Sequence, residues 1–203
     1  PNQVNCKVEV TDVALKGQTV SSSYKPATLS NGLNIQVPPF IEAGDEIILS
    51  TLEHHANIVP WHFLRSRKGI KLVWIDPDEN GQVSLDMIEK KISSKTKMAC
   101  ITHMSNVFGS ILDVKKICKA LKERGIATVL DGSQAVVHLE INVEDIGCDF
   151  YTFTGHKLFG PTGTGVLYVN KKRINEMVPF NGGGEMIRSV TKDDVIYNKS
   201  PFL

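Results

Sequence analysis

Residues Thr154–Lys157 place a lysine in a turn that could fix its position. A lysine amine in a fixed position can act as a nucleophile in covalent catalysis. The apolar run Phe150–Phe153 precedes them and the glycine-rich stretch Gly160–Gly165 follows. A strand end that leads into such a turn fixes the Lys157 amine at one point, partly desolvated, where it could form an imine with an aldehyde such as pyridoxal phosphate. The alternative for Lys157 is a solvated surface charge.

Polar side chains follow four predicted strands at the point where each strand ends. They are His54 after 46–50, His103 and Asn106 after 98–102, Asp131 and Gln134 after 126–130, and Thr154 to Lys157 after 149–153. Because the carboxyl ends of parallel strands meet at one edge of a sheet, we expect these side chains to converge there. For Asp131 the ordinary alternative is a cap of the following helix.

Strand-like and helix-like segments alternate from residue 46 onward, and this order predicts the fold. Further strands are predicted at 71–75 and 166–169, with a connecting turn at 143–146. Three helices are predicted: one at 56–67, one that begins after the N-cap Ser84, and one that runs from the N-cap Asp113 to the stop signal Gly125. Such a β-α-β order indicates an α/β fold, a three-layer sandwich with a mainly parallel sheet and helices on both faces.

Composition narrows the class of protein. The 203 residues include 23 Lys and Arg against 22 Asp and Glu, which are scattered, so we expect no nucleic-acid partner. No apolar run reaches the roughly 18 residues that a membrane span needs. The cysteines Cys6, Cys100, Cys118 and Cys148 lack C-x-x-C spacing, which argues against a metal site or a disulfide framework and favours a reducing, cytoplasmic location. A removed targeting segment would make an organelle the alternative.

Four motifs together resemble one family. They are Glu53–Trp61, Thr102–Gly109, Asp131–Ala135 and Thr154–Gly163, and they are similar to the motifs of cysteine desulfurases of the SufS type. That family belongs to the class V aminotransferase group of fold-type I pyridoxal phosphate enzymes. The resemblance runs from about residue 43 to 201 and implies a large cofactor domain at 43–180. Residues 1–42 stay unassigned, and 181–203 form a glycine-rich C-terminal segment with the small domain absent.

The resemblance implies a role for each site residue with pyridoxal 5'-phosphate as the cofactor. Lys157 would carry the cofactor as an imine and move the substrate's α proton, and His54 would stack on the ring and assist that transfer. Asp131 would pair with the pyridine nitrogen, and Gln134 with the phenolic oxygen. Thr154 and His156 would contact the phosphate, while Asn106 would lie near the cofactor oxygen and the substrate carboxylate.

The reaction implied is removal of sulfur from L-cysteine, which gives alanine and an enzyme persulfide for iron–sulfur cluster assembly. The resemblance further implies a homodimer and a sulfur-acceptor protein as partners. No cysteine matches the family's nucleophile, and the segment Lys25–Gly32 does not match its phosphate loop, so we expect the chain to be a fragment that is inactive alone. The alternatives are a non-catalytic cofactor-fold or dimerisation module, and a selenocysteine lyase.

Overall fold

The computed structural model describes residues 8–11, 25–29, 34–37, 41–174, 176–177 and 184–198. The strands are β1 (Val8–Thr11), β2 (Lys25–Leu29), β3 (Asn34–Val37), β4 (Glu46–Ser50), β5 (Lys71–Ile75), β6 (Thr96–Thr102), β7 (Ala127–Asp131), β8 (Phe150–Thr154), β9 (Gly165–Val169), β10 (Ile187–Val190) and β11 (Val195–Tyr197). The α-helices are α1 (Val59–Lys68), α2 (Leu85–Glu89), α3 (Val114–Glu123), α4 (Ala135–His138), α5 (Val143–Ile146) and α6 (Lys171–Ile174). One-turn 3-10 helices lie at His55–Asn57, Gly155–Lys157 and Gly184–Met186.

The larger of two compact units contains Ile41–Val169 and is built on a six-stranded sheet. Its strand order is β5-β4-β6-β7-β8-β9, and every pair is parallel except β8 with β9. The residues Ile47, Ile48 and Leu49 in β4 are fully buried, as expected for a strand that is covered on both faces. The predicted α/β fold with a mainly parallel sheet is confirmed.

The sheet order decides where the functional residues can meet. Strands β4, β6, β7 and β8 are consecutive neighbours and parallel, so their carboxyl ends lie side by side. These are the four strands whose polar exits the sequence analysis grouped. The expected convergence on one edge of the sheet is therefore confirmed at the level of the backbone.

Helix α3 shows how the sequence specifies its own packing. The Asp113 side chain accepts a hydrogen bond from the backbone N–H of Lys116 and so caps the first turn. The apolar stripe of this helix is buried in the main core and consists of Val114, Ile117, Cys118 and Leu121. The chain leaves the helix at Gly125, whose φ of 71° is the left-handed conformation that favours glycine.

Strands β6 to β9 are shifted by one or two residues from their predicted bounds, and two other predicted elements differ more from the structure. Helix α1 begins at Val59 rather than at residue 56, because the chain first makes a separate 3-10 turn at His55–Asn57 and Pro60, which lacks an N–H, fits the first turn of a helix. The predicted turn at 143–146 is the short helix α5, which Asn142 caps by accepting from the backbone N–H groups of Glu144 and Asp145. Neither change moves a strand end.

The smaller unit, considered by itself, holds two antiparallel sheets, β1-β2-β3 and β10-β11. Val8 and Val10 lie on strand β1, while Val13 and the glycines at 182–183 lie outside the described residues. The boundaries proposed at 43 and 180 stay predictions. None of the helices in the described part of the chain has the length and apolarity that a bilayer crossing requires.

Candidate active site

Asp131 is a buried carboxylate at the end of a central strand. It is the last residue of β7, where its register partners are Thr102 on β6 and Thr152 on β8, and it is 8% exposed. Its Oδ1 accepts a hydrogen bond from the backbone N–H of Ser133 at 2.9 Å. Among the described residues no other group donates to this carboxylate, so its second oxygen can meet a ligand that carries an N–H.

A buried aromatic pair supports the backbone at Asp131. The backbone N–H of His103 donates to the Asp131 carbonyl at 2.9 Å, and His103 Nδ1 lies 3.0 Å from the hydroxyl of Tyr151. The two rings meet edge to face with centroids 6.0 Å apart. A Cβ at Gly132 would lie 2.1–2.3 Å from atoms of the Tyr151 ring, so only glycine fits next to Asp131. Through these contacts His103 ties the end of β6 to β7 and β8.

A cleft of about 250 Å³ opens at this edge of the sheet. It is lined by Ala56, Asn57, Asp131, Ser133, Thr152, Phe153, Thr154, Thr164 and Gly165. The cleft thus combines one buried carboxylate with hydroxyl groups on the adjoining strands. This set suits a small polar ligand with a basic nitrogen at one end and an anionic group at the other.

The turn that contains Lys157 is closed by backbone hydrogen bonds. Gly155 donates its N–H to the Thr164 carbonyl at 2.8 Å, and the N–H groups of Leu158 and Gly160 both donate to the Gly155 carbonyl at 2.9 Å. A Cβ at Gly160 would lie 2.9 Å from that same carbonyl oxygen, so the turn needs glycine there. The half-buried Lys157 is therefore held on a fixed backbone that directly follows β8.

Thr154 and His156, the pair expected at the phosphate, are bonded to each other. Thr154 Oγ1 and His156 Nδ1 lie 2.7 Å apart across the end of β8. The contact orients the imidazole and leaves its Nε2 directed away from Thr154. Because this contact uses one proton, a neutral imidazole leaves either the His156 Nε2–H or the Thr154 hydroxyl, but not both, free to donate to an anion.

The other predicted residues lie on the loops around this edge. His54 is exposed, and its Nδ1 accepts from the backbone N–H of Ala56 at 3.1 Å, so the proton of the neutral ring belongs on Nε2. Gln134 is half-buried at the start of α4, and Asn106 is exposed after β6. Among the described residues, the cleft is lined by Asp131 and Thr154 but not by the side chains of His54, Asn106, Gln134, His156 and Lys157.

Glu53 is a buried acid that the sequence analysis did not single out. It is 5% exposed and accepts hydrogen bonds from the hydroxyl of Ser50, from Asn57 Nδ2 at 2.8 Å and from the backbone N–H of Thr102. Burial raises the pKa of Glu53 to about 7, and the negative charge of Asp131 adds to the increase. Its spacing to Ser50 and Asn57, three and four residues away, is the signal that could have identified it.

The cysteines of the described residues are buried thiols. Burial raises the pKa of Cys118 to about 12, that of Cys148 to about 11 and that of Cys100 well above its ordinary range. A thiol with a raised pKa is a poor nucleophile, because the thiolate is the reactive form. Cys100, Cys118 and Cys148 are therefore buried, poorly reactive thiols, and Cys6 lies outside the described residues.

Comparisons with known proteins agree with this geometry. Residues 26–203 match the family model described as aminotransferase class-V. A probable cysteine desulfurase of Xylella fastidiosa is 46% identical over 163 residues, which are 80% of this chain and 39% of the relative.

Two solved structures share the fold. The cysteine desulfurase CsdA of Escherichia coli is 35% identical with a TM-score of 0.77, over 81% of this chain and 41% of that chain. SspA in complex with cysteine is 31% identical with a TM-score of 0.65, over 70% of this chain and 40% of that chain. The chain spans about two fifths of the length of the relatives that it matches.

Proposed function

The chain belongs to the class-V aminotransferase family, and from this premise we propose that it forms the pyridoxal phosphate site of a cysteine desulfurase. The observation that carries the proposal is the buried Asp131 carboxylate in a cleft at the end of β7, beside the β8 exit that leads to Lys157. Its supports are the resemblance to desulfurases over four fifths of the chain and the chemistry of the residues at this edge.

The residues present fit pyridoxal phosphate, the cofactor of this family. The second oxygen of Asp131 would face the ring nitrogen, since its first oxygen is engaged by Ser133. Thr154 and His156, already joined at 2.7 Å, would hold the phosphate. Lys157 would supply the amine. The cleft therefore offers a partner for each end of the cofactor.

Each side chain has one task in the proposed reaction. When bound, the cofactor supplies an electron sink for negative charge at the substrate's α-carbon. Lys157 Nζ would take and return the α proton, and Asp131 would keep a proton on the ring nitrogen. His54 would cover the ring and assist the proton transfer, Gln134 would donate to the phenolic oxygen, and Asn106 would orient the substrate carboxylate.

L-Cysteine is the substrate that we propose, since desulfurases are among the similar proteins and SspA is described in complex with cysteine. The three described thiols are buried with raised pKa values, so we propose that none of these three accepts the sulfur. A selenocysteine lyase is the alternative within the same chemistry. A non-catalytic module is not favoured, because the chain retains Lys157, Asp131, Gln134 and His54 together.

We further propose a homodimer that delivers sulfur to an acceptor protein of iron–sulfur cluster assembly. In support, the larger unit exposes bulky apolar side chains, with Phe159 98%, Val107 74% and Phe108 61% accessible. Exposed apolar surface of this kind is typical of interaction sites. The free thiols Cys100, Cys118 and Cys148 favour a reducing compartment, for which we propose the cytoplasm.

Lys157→Ala in the full-length protein tests the proposal. We expect wild type incubated with pyridoxal phosphate to gain a near-visible absorbance band that survives gel filtration, and to convert L-cysteine to alanine. Lys157→Ala should lose both. Lys115→Ala is the matched control, because Lys115 is an exposed lysine paired with Asp145 and it should keep both. A band of undiminished intensity in Lys157→Ala would overturn the assignment.

A further inference from the structure

A chain of hydrogen bonds joins Trp61, Asn57 and Glu53, and its middle member Asn57 lines the cleft. Trp61 Nε1 donates to Asn57 Oδ1 at 3.3 Å, and Asn57 Nδ2 donates to Glu53 Oε2 at 2.8 Å. The Ser50 hydroxyl and the backbone N–H of Thr102 donate to the same carboxyl. The role proposed above for the cofactor site does not use this network, yet a buried acid with this many donors has a fixed position.

The network reaches the cleft in two ways. Asn57, which donates to Glu53, lines the cleft together with Asp131. Thr102, whose backbone N–H also donates to Glu53, is the register partner of Asp131 across β6 and β7. Glu53 is therefore tied both to a wall of the cleft and to the strand beside the carboxylate that would meet the ring nitrogen.

Two other titratable groups interact electrostatically with Glu53. Asp131 on β7 repels the ionised Glu53 carboxylate, and the Cys100 side chain on β6 is close enough for Glu53 to raise its pKa further. Cys100 is fully buried and stays a neutral thiol. Within the local sequence around Glu53, the side chains that donate to its carboxyl are Ser50 and Asn57, and both are uncharged. Glu53 is thus the group of this cluster whose charge changes near neutral pH.

We propose that Glu53 is a positioning residue that holds Asn57 at the cleft and, by gaining or losing its proton beside Asp131, sets the pH at which the bound, conjugated cofactor loses its proton. This inference rests on the proposed cofactor site. With Glu53 neutral, Asp131 alone stabilises positive charge on the ring. When Glu53 ionises, a second negative charge in the same low-dielectric region stabilises that positive charge further.

The direction of the expected effect follows from this charge. Glu53→Gln keeps the size and most of the hydrogen-bonding capacity of the side chain but removes its negative charge. The protonated form of the bound cofactor should then lose stabilisation, so its absorbance titration should move to lower pH. We expect a decrease of about 0.5 pH unit or more, which is about a threefold change in proton affinity.

The experiment is an absorbance titration of the cofactor-loaded full-length protein, with Asp149→Asn as the matched control. Asp149 also accepts from a backbone N–H and a hydroxyl, both of Thr128, but at the opposite end of β7 from Asp131. We expect Asp149→Asn to titrate as wild type does and Glu53→Gln to titrate at lower pH. Ser50→Ala keeps Glu53 but removes a donor to its charged form, so the charge should appear only at higher pH.

Each outcome is decisive. Equal midpoints for wild type and Glu53→Gln, with a normal cofactor band in both, would overturn the role of Glu53 and leave the cofactor site intact. A wild-type protein that gains no cofactor band would overturn the proposed function and this inference with it. If Glu53→Gln does not fold, a Ser50→Ala titration that coincides with wild type at every pH would equally overturn the role of Glu53.

Discussion

Replacing Glu53 with glutamine should change how the stability of the protein depends on pH. Burial raises the pKa of this carboxyl from its ordinary value of 4.5 to about 7 in the folded protein. The unfolded chain keeps the ordinary value, so the folded state binds this proton more tightly. A rise of about 2.5 pH units, at about 1.4 kcal/mol for each unit, corresponds to about 3 kcal/mol of unfolding free energy.

The sign follows from which state holds the proton. Below pH 4.5 both states are protonated, and the full stabilising contribution of the neutral, buried Glu53 is present. As the pH rises toward about 7, the unfolded state has already lost the proton and the folded state must follow, so the contribution disappears. Glu53→Gln cannot ionise, and it should lack this decline.

Urea unfolding of the cofactor-free full-length protein, between about pH 5 and pH 8, measures the difference. The free energy of unfolding of wild type should fall relative to that of Glu53→Gln by up to about 3 kcal/mol across this range. Asp149→Asn, the control for loss of a carboxyl, should follow the wild-type slope. A difference between wild type and Glu53→Gln that stays constant with pH would refute the reasoning, because Glu53 would then ionise at its ordinary pKa.

Two further changes test the neighbourhood of Asp131. Asp131→Asn removes the charge that would face the ring nitrogen, so equilibrium dialysis should show that the cofactor binds at least about tenfold more weakly. Unchanged binding would contradict that contact. Gly132→Ala introduces a Cβ 2.1–2.3 Å from the Tyr151 side chain and should lower the free energy of unfolding by about 1–3 kcal/mol. In a protein that already carries Tyr151→Ala, the same Gly132→Ala change should cost much less, whereas an equal cost in both backgrounds would contradict the clash.

The fold could be predicted from the sequence wherever the determining signal is local. Strands β4 and β5 have the predicted bounds, because a short apolar run between turn residues specifies a buried strand without reference to the rest of the chain. Helix α3 has its predicted cap at Asp113 and its predicted end before Gly125 for the same reason. Strand direction is not local, so the sequence could not reveal that β9 pairs antiparallel with β8.

The candidate site could be predicted as a set of strand exits but not as a set of contacts. Asp131 and Thr154 were predicted for this edge and line one cleft. Asn57 lines the cleft too, but an asparagine beside two histidines carries no sequence signal that would mark it as a site residue. The spacing of Glu53 to Ser50 and Asn57 is a local signal, but its raised pKa depends also on Thr102 and Asp131, which only the sheet order brings to it.

The position of Glu53 argues for selection by function rather than by stability. Near neutral pH, ionisation of the buried Glu53 carboxyl lowers the free energy of unfolding by about 3 kcal/mol relative to acid pH, a substantial part of the roughly 5–15 kcal/mol that keeps a domain folded. An uncharged side chain of similar shape at this position would avoid that cost, and a buried polar group that opposes folding is expected chiefly at a functional site. Glu53 contacts Asn57 in the wall of the cleft and Thr102 beside Asp131. Its negative charge, although it destabilises the fold, therefore lies where it would stabilise positive charge on a bound cofactor.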